Sequence, residues 1–365
     1  MKTTLLPTRN PISLLQFPCA LFLIALVLFC FALSPIAQAL NPPPDGGYPN
    51  GNTAEGTQAL FSLTTGSFNT ALGFNVLYSN TTGTDNTATG WGALFSNTTG
   101  AANTANGDRT LYSNTTGNFN TATGFVALFS NTTGDGNTAN GVDALGTNTT
   151  GFSNTANGLD ALAFNTTGYQ NTANGVQALF SNTTGFFNTA NGVFALASNI
   201  TGDSNTANGF NALLFNTTGY QNTANGVQAL VSNTTGFFNT ANGVFALGSN
   251  ITGDSNTANG VDALAFNTTG NRNIAVGVGA GYNLTTGDNN IDIGNAGVAG
   301  EAYTIRIGTV GTQTKTFIAG IRGATVSGTG VVVNANGRLG VTPFFAAVQR
   351  RDQTNGQGQR CDPGT

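Results

Sequence analysis

The sequence predicts an all-β fold, a repetitive parallel β-roll or β-solenoid of seventeen-residue coils. Three observations carry that expectation. First, an Asn recurs at every seventeenth residue from Asn52 to Asn290, through Asn69, Asn86, Asn103 and onward without insertion. A fixed short period is the signature of a stacked array. Second, the unit can be written N-T-A-x-G-Φ-x-A-L-x-x-N-T-T-G-x-x, with Φ usually Val or Phe, as in NTANGVQALFSNTTGFF at 171–187. Its two short segments, T-A-x-G-Φ and A-L-x-x, are too brief for helices, and Gly every few residues opposes one. Third, only 7% of residues are charged while 26 are Phe, the opposite of a solvated disordered chain.

Residues 1–39 read as a secretory signal. Lys2 and Arg9 supply a positive start, Cys19 to Leu33 are fifteen apolar residues, and Ala37-Gln38-Ala39 fits a cleavage site. Fifteen residues fall short of the ~20 that span a bilayer. The expectation is a product secreted or held at the cell surface, cut near Ala39. On that reading Cys361 is the one remaining Cys, so packing and backbone hydrogen bonds hold the chain without an intramolecular disulfide. Nine basic residues then face fifteen acidic ones, a net charge of −6.

Residues 40–51 (LNPPPDGGYPNG) form a leader whose Pro and Gly favour turns. Residues 52–289 are fourteen units. In register, equivalent residues of neighbouring coils stand about 4.8 Å apart, and fourteen coils span about 67 Å. Stacked Leu, with Val or Phe at Φ, is expected to form a continuous apolar file. Asn at the first and twelfth positions is expected to form hydrogen-bonded ladders, and N-T-T-G to supply the turn residues that tolerate positive φ. At the twelfth position Leu63 and Leu284 replace Asn in the end units, as expected where one side lacks a neighbour. The unit at Asn103 carries Asp108-Arg109-Thr110, read as a locally polar coil or a surface ion pair. Residues 169–219 and 220–270 are near copies offset by three units.

From residue 290 the pattern changes. IDIG (291–294), TIRIG (304–308), TFIAGIRG (316–323) and GVVVNANGRLGV (330–341) make 290–343 a β-rich neck. Residues 344–365 have no β pattern and read as a disordered tail.

With these motifs in hand, the unit resembles the head repeats of trimeric autotransporter adhesins. Asn273-Ile274-Ala275-Val276-Gly277 is nearest to their Asn-Ser-x-Ala-x-Gly core. The stretch 290–342 resembles bacterial and phage-like fibre proteins. In those an Ile-Asp-Ile-Gly-Asn-Ala-Gly neck precedes an intramolecular chaperone peptidase of the endosialidase tail-spike type. The resemblance implies left-handed parallel β-rolls assembled as a homotrimer. It also implies a segment like Phe-Lys-Asp-Glu-Ile-Lys-Pro-Met-Asp-Lys-Ala-Ser after the neck, which is absent here. Back-translation of 349–360 can place that motif in the neighbouring frame. The expectation is a one-base slip near Pro343 that replaced the chaperone domain with the tail.

Function classes follow by chemistry. Between 52 and 289 the only basic residues are Arg109 and Arg272, so the electrostatic footprint of nucleic-acid binding is missing. No His means no His-based triad and no His metal site. Asp85, Asp135, Asp203, Asp254 and Asp288 fall in inter-unit turns, and Asp143, Asp160 and Asp262 at the seventh position. They lack the spacing of calcium-binding β-rolls, and Asp288 with Asp292 reads as surface turn chemistry rather than a glycosidase pair. The Asn-x-Thr triplets at Asn80, Asn97 and Asn114 read as turns and ladders rather than glycan acceptors. Gly277-Val278-Gly279-Ala280-Gly281 lacks the strand–helix context of a phosphate loop.

No catalytic, cofactor-binding or metal residue is assigned. The leading expectation is a non-enzymatic, exported structural fibre, adhesin-like, presenting a repetitive surface to glycans or cell surfaces. One alternative is a truncated relative of a self-processing fibre protein. Another is an ice-binding β-solenoid, disfavoured because the paired threonines at positions thirteen and fourteen should point to opposite faces. Partner-specific chemistry is expected at the variable seventh, sixteenth and seventeenth positions.

Overall fold

The computed structural model describes residues 48–318, 330–335 and 337–341. The signal segment, most of the leader, residues 319–323 of TFIAGIRG, and the tail with the junction near Pro343 lie outside the described residues. Among those described, the chain is all β. Three-residue strands recur every seventeen residues from β1 (Thr53–Glu55) through β13 (Thr257–Asn259) and β14 (Ile274–Val276) to β15 (Ile291–Ile293). A sixteenth, β16 (Ile305–Ile307), follows after fourteen residues. Each pairs in parallel with the next, so chain order is sheet order. The register joins like to like: Thr53 opposes Thr70, and Ala54 opposes Ala71. Fifteen steps of about 4.8 Å give the sheet a length of about 72 Å.

The sheet is one wall of each coil. A-L-x-x, expected as a second strand, runs instead as turns. Leu at the ninth position has φ of 50–54° in every coil from Leu60 to Leu264, and an extended strand cannot contain such a residue. A left-handed non-Gly residue costs roughly 1–2 kcal/mol. Burial of the Leu side chain, worth about 1.5–3 kcal/mol, offsets this. So does a bond to the next coil, as where Leu179 N donates to Ala195 O at 3.0 Å. Positive φ also falls on the seventh and seventeenth positions, at Gln177 and Phe187 among others.

The expected role of N-T-T-G is corrected in the same way. Its Gly is not in the left-handed region. It is required by close approach, since a Cβ on Gly185 would collide with Asn182 Oδ1 and the Gly202 carbonyl. The fifth-position Gly is the one with unusual φ, 139° at Gly175, where a Cβ would also stand 2.6 Å from Gly192 O.

The interior is narrow. Ala at the third and eighth positions and Leu at the ninth are buried in coil after coil. The Φ side chain, expected beside Leu, is outside: Val176 is 38% exposed and Phe210 48%. The corner at the preceding Gly turns the chain after the inward Ala, so the sixth residue opens the next wall facing water. Leu284 is fully buried and Leu63 packs on the core, so apolar caps close both ends of the twelfth-position file.

The boundary at 290 is softer than the sequence change suggests, because β15 and β16 extend the same sheet. Farther on, β17 (Val331–Val333) and β18 (Leu339–Val341) form an antiparallel pair of their own.

Leu179→Ala is expected to destabilise the array by about 2–5 kcal/mol through an unfilled cavity. Val176→Ala, on the outside, should cost no more than about 0.5 kcal/mol. Urea denaturation of the two variants distinguishes an interior Leu file from an interior Φ file.

Candidate functional site

The chemistry of this chain lies in polar files that repeat along the coil axis. The first is interior. Asn171 Oδ1 accepts from both the backbone N (3.0 Å) and Nδ2 (3.2 Å) of Asn188 in the next coil. Its own Nδ2 donates back to Asn154 Oδ1 at 3.2 Å and to Gly185 O at 2.8 Å. The second interior file is the twelfth position, where Asn182 Nδ2 donates to Asn165 Oδ1 at 2.8 Å and to Gly185 O at 3.0 Å. Both ladders therefore converge on the carbonyl of the fifteenth-position Gly, which receives two amide donors. Asn80, Asn97 and Asn114 are members of the second ladder and fully buried, which leaves no opening for an attached glycan.

A third ladder runs along the fourth position, which the repeat formula writes as x. From Asn140 to Asn259 its side chains join strand to strand on the outer face of the sheet, with Asn174 Nδ2 donating to Asn191 Oδ1 at 2.8 Å. Repetition of Asn at that position was the available signal. Thr at the thirteenth position is tied internally, as where Thr81 Oγ1 donates to Thr98 O at 3.0 Å.

The carboxylates mostly serve turns. Asp135 accepts from Asn118 N at 2.7 Å, and Asp288 from Asn271 N at 2.7 Å. Burial, and then the neighbouring Asp160, push the Asp143 carboxyl above its ordinary range. Gln177 Nε2 donates to Asp160 at 3.2 Å. Among the described residues no group of three or more potential metal-ligating side chains forms. Asp288 and Asp292 are not a facing pair, since Asp288 is in a turn and Asp292 points into the coil.

Asp292 is the exception to every rule of the array. It occupies the inward position that Ala fills in the strands before it, is 1% exposed, and neither carboxylate oxygen has a partner. Its cross-strand neighbour is Arg306. That guanidinium instead grips Glu301, with Nη2 to Oε2 at 2.6 Å and Nε to Oε1 at 2.8 Å. Burial pushes the Asp292 carboxyl up to about 6, the Glu301 charge adds to this, and Arg306 opposes it. Hydrogen bonds from Arg306 hold Glu301 below its usual range.

Outside, aromatic rings stack along the axis. Phe61, Tyr78, Phe95, Tyr112 and Phe129 form one file with centroids 5.0–5.4 Å apart. Phe152, Tyr169 and Phe186 form another at the sixteenth position, and Tyr220 and Phe237 repeat it three coils on. Stacking covers the ring faces and leaves edges toward water. The Φ residues make an exposed apolar stripe from Phe74 to Val278. Its one charged coil is sealed by Arg109, which bonds Asp108 at 2.9 Å. The same guanidinium lies 5.6 Å from the Trp91 ring and 5.2 Å from Phe125. The expected ion pair is thus also a cation–π plug in the stripe.

Two measurements test this account. Asn182→Ala, which strips Gly185 O of a donor and breaks a buried ladder, should cost about 1–3 kcal/mol. Asn174→Ala on the outer face should cost about 0.5 kcal/mol or less, as read by denaturant midpoints. For Asp292, the folded carboxyl lies above its ordinary value, so ionisation penalises the folded state. The penalty is absent well below pH 4, grows between pH 4 and 6, and is complete above 6. Asp292→Ala should therefore slow hydrogen exchange across 291–307 more at pH 8 than at pH 3.5, where the ionisation penalty has largely gone. Equal protection of the two proteins at pH 8 contradicts the assignment.

No family model, no curated protein and no solved structure matches this chain.

Proposed function

We propose that the chain is an exported structural fibre of adhesin-like type, a non-enzymatic rod that assembles as a homotrimer and presents repeated side chains to glycans or a cell surface. The observation that carries this reading is the unbroken parallel sheet of sixteen strands, with Thr over Thr and Ala over Ala from β1 to β13. A rod built this way repeats each outward group about every 4.8 Å. Many weak contacts along it act together, so avidity substitutes for a single deep pocket. The resemblance to adhesin head repeats supports the trimer, and the apolar N-terminal segment supports export with cleavage near Ala39. Self-association is further favoured by the thin interior, which leaves the Φ stripe exposed.

Ice binding keeps one supporting observation. Thr recurs at the second position of the unit, the first residue of every strand from β1 to β13, on the outer face of the sheet, with Thr or Asn two residues on in most of them. Thermal hysteresis in the purified protein would favour that reading over adhesion. The reading as a remnant of a self-processing fibre rests on the frame after Pro343, and the nucleotide sequence there decides it.

The secreted protein is expected to scatter X-rays as a rod at least about 70 Å long and to sediment as a trimer. A compact globule or a random coil removes the fibre reading, while a monomeric rod removes only the trimer.

A further inference from the structure

The aromatic file at the sixteenth position is interrupted by carboxylates. Tyr169 and Phe186 are followed in the next coil by Asp203, and Tyr220 and Phe237 by Asp254. The second run copies the first, three coils on. Because it begins where the first ends, Asp203 lies between two rings, Phe186 one coil before it and Tyr220 one coil after. No other acid at that position is so placed. Asp135 and Asp288 have Asn118 and Asn271 before them, and Asp254 has Asn271 after it.

The walls of this slot are braced. Phe186 lies flat on Tyr169, with centroids 5.0 Å apart, and Tyr220 lies flat on Phe237 at 4.9 Å. Edge-on rings support each pair: Phe187 meets Phe186 at 5.3 Å, and Phe238 meets Tyr220 at 5.5 Å. Stacking uses one face of Phe186 and one of Tyr220. The two remaining faces look at each other across Asp203, two coil steps or about 9.6 Å apart. Walls fixed in advance spare a ligand the cost of ordering them.

The floor carries a charge that the coil does not use. Asp135 and Asp288 turn their carboxylates back onto the N–H groups of Asn118 and Asn271 in the coil before, both at 2.7 Å. Asp203 does not. Its Oδ2 accepts from Ser204 Oγ at 3.1 Å, and its Oδ1 accepts nothing among the described residues. No basic residue lies between Arg109 and Arg272. Arg272 is four coils on, about 19 Å along the axis, beyond the ~8 Å over which exposed charges act at physiological salt.

A negative floor between two ring faces suits a cation. At mid-gap a positive centre stands about 4.8 Å from each ring, inside the ~6 Å reach of a cation–π contact. Shape then selects among cations. A primary ammonium is compact and strongly hydrated; it has three protons to place and finds one carboxylate. A trimethylammonium spreads its charge over methyl groups that reach both rings, and it needs no hydrogen bond. We infer that Phe186, Asp203 and Tyr220 form a binding slot for a quaternary ammonium, the head group of choline and of choline lipids. The slot is built within one chain, goes beyond the fibre reading, and stands apart from the trimer.

Calorimetry on the full protein at low salt tests it, with choline, the neutral carbon isostere of choline, and guanidinium as probes. One choline should bind per chain, and the other two more weakly. Asp203→Asn and Tyr220→Ala should each weaken choline about tenfold. Asp254→Asn, at the half-built copy, should change nothing. Asn271→Tyr with Arg272→Gln completes that copy on the pattern of Tyr220 and Gln221, and should raise the stoichiometry to two. Circular dichroism checks the fold of each variant. Phosphatidylcholine vesicles that carry the protein down, and release it to free choline, identify a lipid as the source; choline binding without vesicle binding identifies a soluble one. The slot is overturned if the parent does not bind choline, if the isostere binds equally, if guanidinium binds more tightly, or if Asp203→Asn and Tyr220→Ala leave choline binding intact. None of these outcomes bears on the rod or the trimer, which scattering and sedimentation read separately.

Discussion

The structure depends on how one buried carbonyl is satisfied. Each coil brings the C=O of its fifteenth residue into the interior, where an unpaired acceptor would cost about 1–3 kcal/mol. Two asparagines of the same coil meet it, Asn171 and Asn182 at Gly185. Each then passes its remaining valences up or down the axis to its own copy. The network closes only if every coil has Asn at both positions, Gly between them in space, and an equal number of residues per turn. The strictness of the seventeen-residue period follows from that closure. Length enters freely, since inserting a whole coil leaves every bond intact, which accounts for the tolerated duplication of 169–219 as 220–270.

That polar spine lets so small an apolar interior suffice. Per coil the core is two alanines and one leucine. The leucine is held in a left-handed conformation that Gly would adopt more cheaply, yet Gly would leave no side chain to fill the file. Backbone strain is accepted for burial. The ends obey the same logic. Where a twelfth-position Asn would have no partner beyond it, Leu63 and Leu284 replace it, and an apolar side chain leaves no amide unpaired.

The last two strands of the sheet invert the scheme. Asp292 and Arg306 enter the inward file just as isoleucines appear outside. The array thus passes from coils with an apolar interior to coils whose aliphatic side chains face away from it. Asp292, with no hydrogen bond and a raised carboxyl pKa, marks the place where the interior stops serving as a core.

Much of this was legible in the residues. The period gave the coil, and the Asn positions gave both interior ladders, because a residue in an in-register stack meets its own copy. Leu63 and Leu284 announced the caps. Placement in three dimensions was harder to read. Nothing local tells that A-L-x-x is a turn, since Leu carries no preference for positive φ; only the geometry of closing a seventeen-residue coil imposes it. Nor does local sequence place Φ outside, because the corner at the fifth residue sets its direction. By itself the sequence determined a stacked β-coil, its length and its Asn ladders, all consequences of periodicity. Tertiary structure alone decided which apolar residues are core and which are surface, and that the sheet reverses its polarity at β15 and β16. Inside and outside are properties of the closed coil and not of any residue in it.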